Sequence, residues 1–179
     1  STHCISSAAS DVYKRQSLLI GFISVGFNAT SLNQAKAAEK NDYATVIMYH
    51  RFGDSRYPST NIKKEQFMEH INELLKPKYN VISIEKALLA INNVELIKDR
   101  SVVITIDDAY SSVYKYAWPI FKKHNLPFTL FVSTDVIDNK IPGYMNWEQI
   151  RTLRDHGVTI GNQTKTHPHM FKLKREKII

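Results

Sequence analysis

The sequence predicts an α/β fold in which helices cover a parallel sheet. Three observations carry this. Short β-branched apolar runs alternate with segments of helical period along the body of the chain. No internal repeat or low-complexity tract interrupts that alternation. Polar, chemistry-bearing residues cluster just after the runs, where α/β folds place their working groups.

The elements follow in order. Ala44–Tyr49 (ATVIMY) is a β-branched apolar run and predicts a buried strand. Residues 51–60 contain Gly53, Asp54 and Pro58 and predict a loop. Ile62–Leu75 spaces Phe67, Ile71, Leu74 and Leu75 as a helix does, and Pro77 ends it. Val81–Ile84 predicts a strand and Glu85–Ile91 a helix. Ser101–Ile106 (SVVITI) is the most strand-like run in the chain. Tyr110–His124 has helical character, with a kink or break expected at Pro119. Phe128–Val132 (FTLFV) predicts another buried strand. Asn146–Asp155 predicts a helix with Trp147, Ile150 and Leu153 on one face, closed by Gly157 at the C′ position. Val158–Gly161 predicts the last strand.

The composition bounds the class. The chain has 179 residues and a mass of 20.6 kDa, enough for one domain and marginal for two. Six glycines and six prolines exclude collagen-like and Pro/Gly-rich disordered chains. A single cysteine excludes a disulfide-stapled fold or a cysteine-based zinc finger. No apolar run reaches the roughly 18 residues of a spanning helix, so no stable membrane span is expected. A net charge of +7 invites a nucleic-acid reading, but its location argues against one. Residues 41–157 are nearly neutral, whereas Lys165, Lys172, Lys174, Arg175 and Lys177 crowd the last 22 residues. Phosphate binding needs basic groups converging on one surface, not a charged tail.

The N-terminal region reads in two parts. Residues 1–16 (STHCISSAASDVYKRQ) have neither helical nor strand period and read as a sequence scar, which takes Cys4 out of consideration. Ser17–Phe27 is an apolar run of about 11 residues. A polar stretch ending Ala35-Lys36-Ala37-Ala38 follows it. This is the pattern of a secretory signal peptide over residues 17–38, which predicts export to the periplasm, cell envelope or exterior. The C-terminal KLKREKII reads as a helix opening cut short.

Three predicted strands end in residues that chemistry can use. The first ends in His50, which alone is a weak signal for a substrate cleft. The strand SVVITI runs into Asp107-Asp108. Successive side chains of a strand point to opposite sides, so the two carboxylates are splayed: one can bind a metal while the other acts as a base. A helix cap over 111–124 would need only one of them. The last strand runs into GNQTKTHPH, with Gln163, His167 and His169. Asp and His together suit Zn²⁺, Co²⁺ or Ni²⁺. His169 reads as surface decoration.

These residues resemble a known pattern. TIDDAY at 105–110 resembles the T-F-D-D motif of the polysaccharide deacetylase family, the NodB-homology domain of carbohydrate esterase family 4. GNQTKTH at 161–167 resembles its second motif, H-[ST]-x-x-H. VIMYH at 46–50, YPST at 57–60, LPFTLFVST at 126–134 and PGYMNWEQI at 142–150 resemble the exported branch acting on poly-N-acetylglucosamine. The similarity spans roughly residues 42–172, and residues 42–179 are read as the N-terminal part of such a domain. The resemblance implies a distorted (β/α) barrel, truncated at its C-terminus, with the general-acid histidine beyond residue 179. It implies a hydrolase that removes N-acetyl groups from an N-acetylglucosamine polysaccharide with a divalent metal, zinc foremost and cobalt or nickel as alternatives. Asp107 would be the general base, and Asp108 and His167 metal ligands. The third ligand position holds Gln163 where the family has histidine. An amide is a poorer zinc ligand than imidazole. Weakened metal holding, rescue by a donor such as His169, and a one-base sequence difference are the open readings. A catalytically impaired carbohydrate-binding relative is the alternative function.

Overall fold

The computed structural model describes residues 43–92 and 94–177. The expectations of a scar and a signal peptide fall on residues outside that range.

The alternation read from the sequence is realised as five parallel strands in one sheet. They are β1 (Thr45–Tyr49), β4 (Asn80–Ile82), β5 (Ser101–Ile106), β6 (Thr129–Val132) and β7 (Thr159–Asn162). β5 is the hub. It pairs with β1 from Thr45↔Val102 to Tyr49↔Ile106, with β4 at Ser101–Val103, and with β6 at Thr105–Ile106. β7 pairs in turn with β6. All six residues of β5 are buried, as a strand covered on both faces requires.

β1 departs from the expectation of a buried strand. Ile47 and Tyr49 face the core, but Val46 and Met48 are 60% and 59% exposed. β1 ends the strand order, and no helix among the described residues covers that face. The expected loop at 51–60 is bracketed by a two-stranded parallel pair, β2 (Arg51–Phe52) and β3 (Asn61–Ile62). Two-residue strands carry no period, so the sequence gives no sign of them.

The helices bury the faces their spacing predicts. α1 (Lys64–Leu74) buries Phe67, Ile71 and Leu74. The Phe67 ring meets Phe52 at 4.7 Å and Phe121 at 5.3 Å between centroids. Burying such a ring contributes about 2–3 kcal/mol. α2 (Ile84–Ile91) starts where the Ser83 hydroxyl accepts a hydrogen bond from the Lys86 N–H. It packs Ala87 and Ala90 against Ile82, Ile97 and Val103 in a second small core. α5 (Trp147–Asp155) has a reciprocal capping box between Asn146 and Gln149. It ends at Gly157, whose φ of +85° supplies the left-handed turn.

The break expected at Pro119 lies just upstream of it. Residues Val113–Ala117 form a π turn, and α3 (Trp118–Lys123) follows with Pro119 in its first turn. Proline has no N–H for the Lys115 carbonyl four residues back, and the ladder widens instead. The Trp118 N–H reaches the Val113 carbonyl, five residues away. A short α4 (Thr134–Asp138) after β6 completes the set.

Candidate active site

The register fixes where the site must lie. Tyr49 pairs with Ile106, so His50 and Asp107 leave the sheet side by side. The Asp107 N–H donates to the Tyr49 carbonyl at 2.9 Å, extending the ladder one step. Val132 pairs with Asn162, and the Gln163 N–H donates to the Val132 carbonyl at 3.0 Å. The C-terminal ends of β1, β5, β6 and β7 thus bring His50, Asp107, Asp108 and Gln163 to one edge of the sheet.

The two carboxylates diverge there. Asp107 Oδ2 lies 3.8 Å from His50 Nε2, and Asp108 Oδ1 lies 4.0 Å from His167 Nε2. Both carboxylates are largely shielded, while His167 stands 60% exposed. Neither aspartate caps the following helix, whose N-cap is Ser112 without a side-chain bond. Burial pushes the Asp107 carboxyl above the ordinary aspartate range. The His50 and His167 charges pull against that shift, and the Asp108 charge adds to it. The result is a more basic carboxylate than a solvated one.

The backbone that carries the pair is bent into the left-handed region. Asp108 has φ of +69° and Ala109 of +53°. Such conformations cost about 1–3 kcal/mol per non-glycine residue and persist only where the surroundings impose them. Two hydrogen bonds do so. The Asp108 N–H donates to Gln163 Oε1 at 3.1 Å, and the Met145 N–H donates to the Ala109 carbonyl at 2.9 Å. Tyr110 packs beside them, its ring 4.8 Å from that of Tyr144 between centroids. Burial pushes its phenol well above the ordinary range, so it acts as a donor.

The second motif is held by its own turn. The Ser133 hydroxyl donates to the Gln163 carbonyl at 3.1 Å. The Thr164 N–H donates to Asn162 Oδ1, and the His167 N–H donates to Thr164 Oγ1 at 3.1 Å. Thr164 and His167 both have positive φ. This turn aims the His167 ring back at Asp108. His169 instead sets its ring against Phe171, at 5.9 Å between centroids.

Among the described residues no group of three His, Cys, Asp or Glu side chains could hold a metal ion. The donor set therefore fits a divalent ion only loosely. Two zinc ligands in tetrahedral geometry stand about 3.3 Å apart. Asp108 and His167 come within 4.0 Å of each other, and a small ring movement of the exposed His167 would close the difference. Gln163 Oε1 already accepts the Asp108 N–H and has one lone pair left for a weak third contact.

Sequence reasoning reached Asp107, Asp108, Gln163, His167 and His50, all of which the fold brings together. It gave no role to Tyr110, which the fold buries next to the pair. The signal was its place two residues after Asp108, on the same turn.

The fold and the strand-end carboxylates define the class: an α/β domain with its polar groups at the C-terminal ends of a parallel sheet. Residues 97–179 match the model of the polysaccharide deacetylase family, and the resemblance carried by the two motifs is borne out. YxkH of Bacillus subtilis (strain 168), which bears the name of a polysaccharide deacetylase, is 27% identical over 129 residues. That stretch covers 72% of this chain and 45% of the relative. IcaB from Ammonifex degensii superposes with a TM-score of 0.63 at 27% identity, covering 71% of this chain and 55% of that one. The de-N-acetylase from Aggregatibacter actinomycetemcomitans gives a TM-score of 0.62 at 25% identity, covering 69% and 55%. The chain thus spans about half the length of these relatives. The Streptococcus pyogenes deacetylase PplD, at 21% identity and a TM-score of 0.67, shares the fold.

Proposed function

We propose that this domain works as part of an exported protein and hydrolyses the acetamide of N-acetylglucosamine units in a polysaccharide, using a divalent ion, zinc foremost. One observation carries the reading: Asp107 and Asp108 diverge at the end of β5, each toward a histidine of another loop. Asp107, made more basic by burial and flanked by His50, takes a proton from the attacking water. Asp108 and His167 would hold the ion, and Gln163 keeps the Asp108 backbone in place. The ion, when bound, supplies Lewis-acid polarisation of water and of the acetamide carbonyl. Water adds across the C–N bond, its hydroxyl going to the acetyl carbon and its proton, by way of Asp107, to the leaving nitrogen, and acetate and a free amine result. Export rests on the apolar run Ser17–Phe27 and the small residues before Ala38.

Gln163 favours a second reading, a carbohydrate-binding relative with little or no turnover. One experiment separates the two. Acetate release from N-acetylglucosamine oligomers is measured with zinc, cobalt or nickel, for the chain and for Gln163→His. Release by either version supports the deacetylase. Oligomer binding that ignores chelator, with no release by either version under any of the three metals, supports the binding relative.

A further inference from the structure

Beside the candidate site lies a cleft of about 400 Å³, in the size range of small-molecule sites. It begins where that site ends. Arg51 directly follows His50, and Tyr110, two residues after Asp108, forms a wall of the cleft. The Arg51 guanidinium carbon lies 3.6 Å from the Tyr110 ring centroid and 4.0 Å from that of Tyr57. Arg51 Nη1 donates to Thr60 Oγ1 at 2.6 Å. With its faces stacked on rings, the guanidinium presents its remaining donors in its own plane, the arrangement that takes an oxyanion two bonds at a time.

The charges around it leave Arg51 available. Asp54 lines the same cleft, but Arg56 holds it with two bonds of 2.8 and 2.9 Å. Among the described residues no carboxylate lies within ion-pair distance of Arg51. The Arg56–Asp54 pair cancels, and one positive charge remains. The ring faces that meet Arg51 are taken by the guanidinium and give a neutral sugar no platform. The side facing Gly143 is open, since a Cβ built there would meet nothing within 4 Å.

We propose that this cleft binds a negatively charged substituent, a carboxylate or a phosphate, on the glycan unit next to the one deacetylated. The proposal rests on the deacetylase reading for its substrate class. The substrate would then be a mixed polymer carrying acidic units rather than a purely neutral one.

Calorimetry on the full chain compares two probes. One is a tetrasaccharide alternating glucuronate with N-acetylglucosamine, and the other is the neutral N-acetylglucosamine tetramer. The charged probe is expected to bind at least about tenfold more tightly at low salt, with the advantage shrinking as salt screens it. Arg51→Gln should remove the advantage and Arg51→Lys should keep part of it. Tyr57→Ala, at an exposed position, should reduce it several-fold and serves if Arg51→Gln fails to fold. Competition by free glucuronate marks a carboxylate site, and competition by inorganic phosphate marks a phosphate site. Equal affinity for the two probes, or an advantage that survives in folded Arg51→Gln, overturns the proposal. Charge preference without acetate release, by the chain or by Gln163→His under any of the three metals, keeps this site and removes the deacetylase reading. Acetate release with equal affinities does the reverse.

Discussion

Replacing Gln163 separates its two jobs. Its amide oxygen accepts the Asp108 N–H at 3.1 Å and so helps hold Asp108 at a φ of +69°. Gln163→Ala leaves that partly buried donor without its partner, at a cost of about 1–3 kcal/mol. Gln163→His behaves differently. An imidazole nitrogen has one lone pair, where the amide oxygen has two. It can accept the Asp108 N–H or ligate a metal, but not both. In chelator the histidine variant should therefore match the parent within about 0.5 kcal/mol, a surface-like change. With zinc in excess it gains an imidazole ligand that outweighs release of the Asp108 N–H, and a net tenfold rise in affinity adds about 1.4 kcal/mol of stability. Urea unfolding of the three proteins, each with zinc and with chelator, reads both quantities. A Gln163→Ala stability equal to the parent's, or zinc stabilisation no larger in Gln163→His, refutes this account of the residue.

Three further outcomes follow from the same structure. Asp107→Asn removes the proposed base and should lower acetate release by about 100-fold or more, while calorimetry finds zinc binding kept. Burial pushes the Tyr49 phenol up to about 12, from 10 in the unfolded chain. The folded state then keeps a proton that the unfolded state has lost, so the stabilisation is complete below pH 10 and falls as pH rises to 12, by about 2–3 kcal/mol. Urea midpoints across that range should show the fall, to which Tyr110 also contributes, and Tyr49→Phe should show a smaller one. Gly161→Ala puts a Cβ 2.5 Å from the Phe131 ring, on the residue paired with it across β6 and β7. Overpacking of that kind costs about 1–3 kcal/mol, readable in the same unfolding assay.

The sheet was legible because its strands are continuous apolar runs. SVVITI is strand β5 residue for residue, and the other main strands and helices differ by one or two positions at their ends. The helix at 146–155 was legible to its caps, since Asn146, Gln149 and Gly157 each do what their chemistry favours. The β2–β3 pair and α4 were not legible, being too short to show a period. The exposed face of β1 was hidden because composition tells what a strand could bury, not what lies beside it. At the site, residue types pointed to Asp107, Asp108 and His167, but the geometry between them comes from the turns. The left-handed backbone of Asp108 leaves no mark in the residue pattern. The Arg51 cleft needs Tyr57 and Tyr110, 53 residues apart, to meet over one side chain.

The central claim is that Asp107, Asp108 and His167 form a metal-dependent deacetylating centre. Acetate release from an N-acetylglucosamine oligomer tests it, followed before chelation, after chelation and after zinc is restored. The account predicts release that stops with chelator, returns with zinc, and is absent throughout in Asp108→Ala. Release unaffected by chelator, or retained in Asp108→Ala, would contradict it.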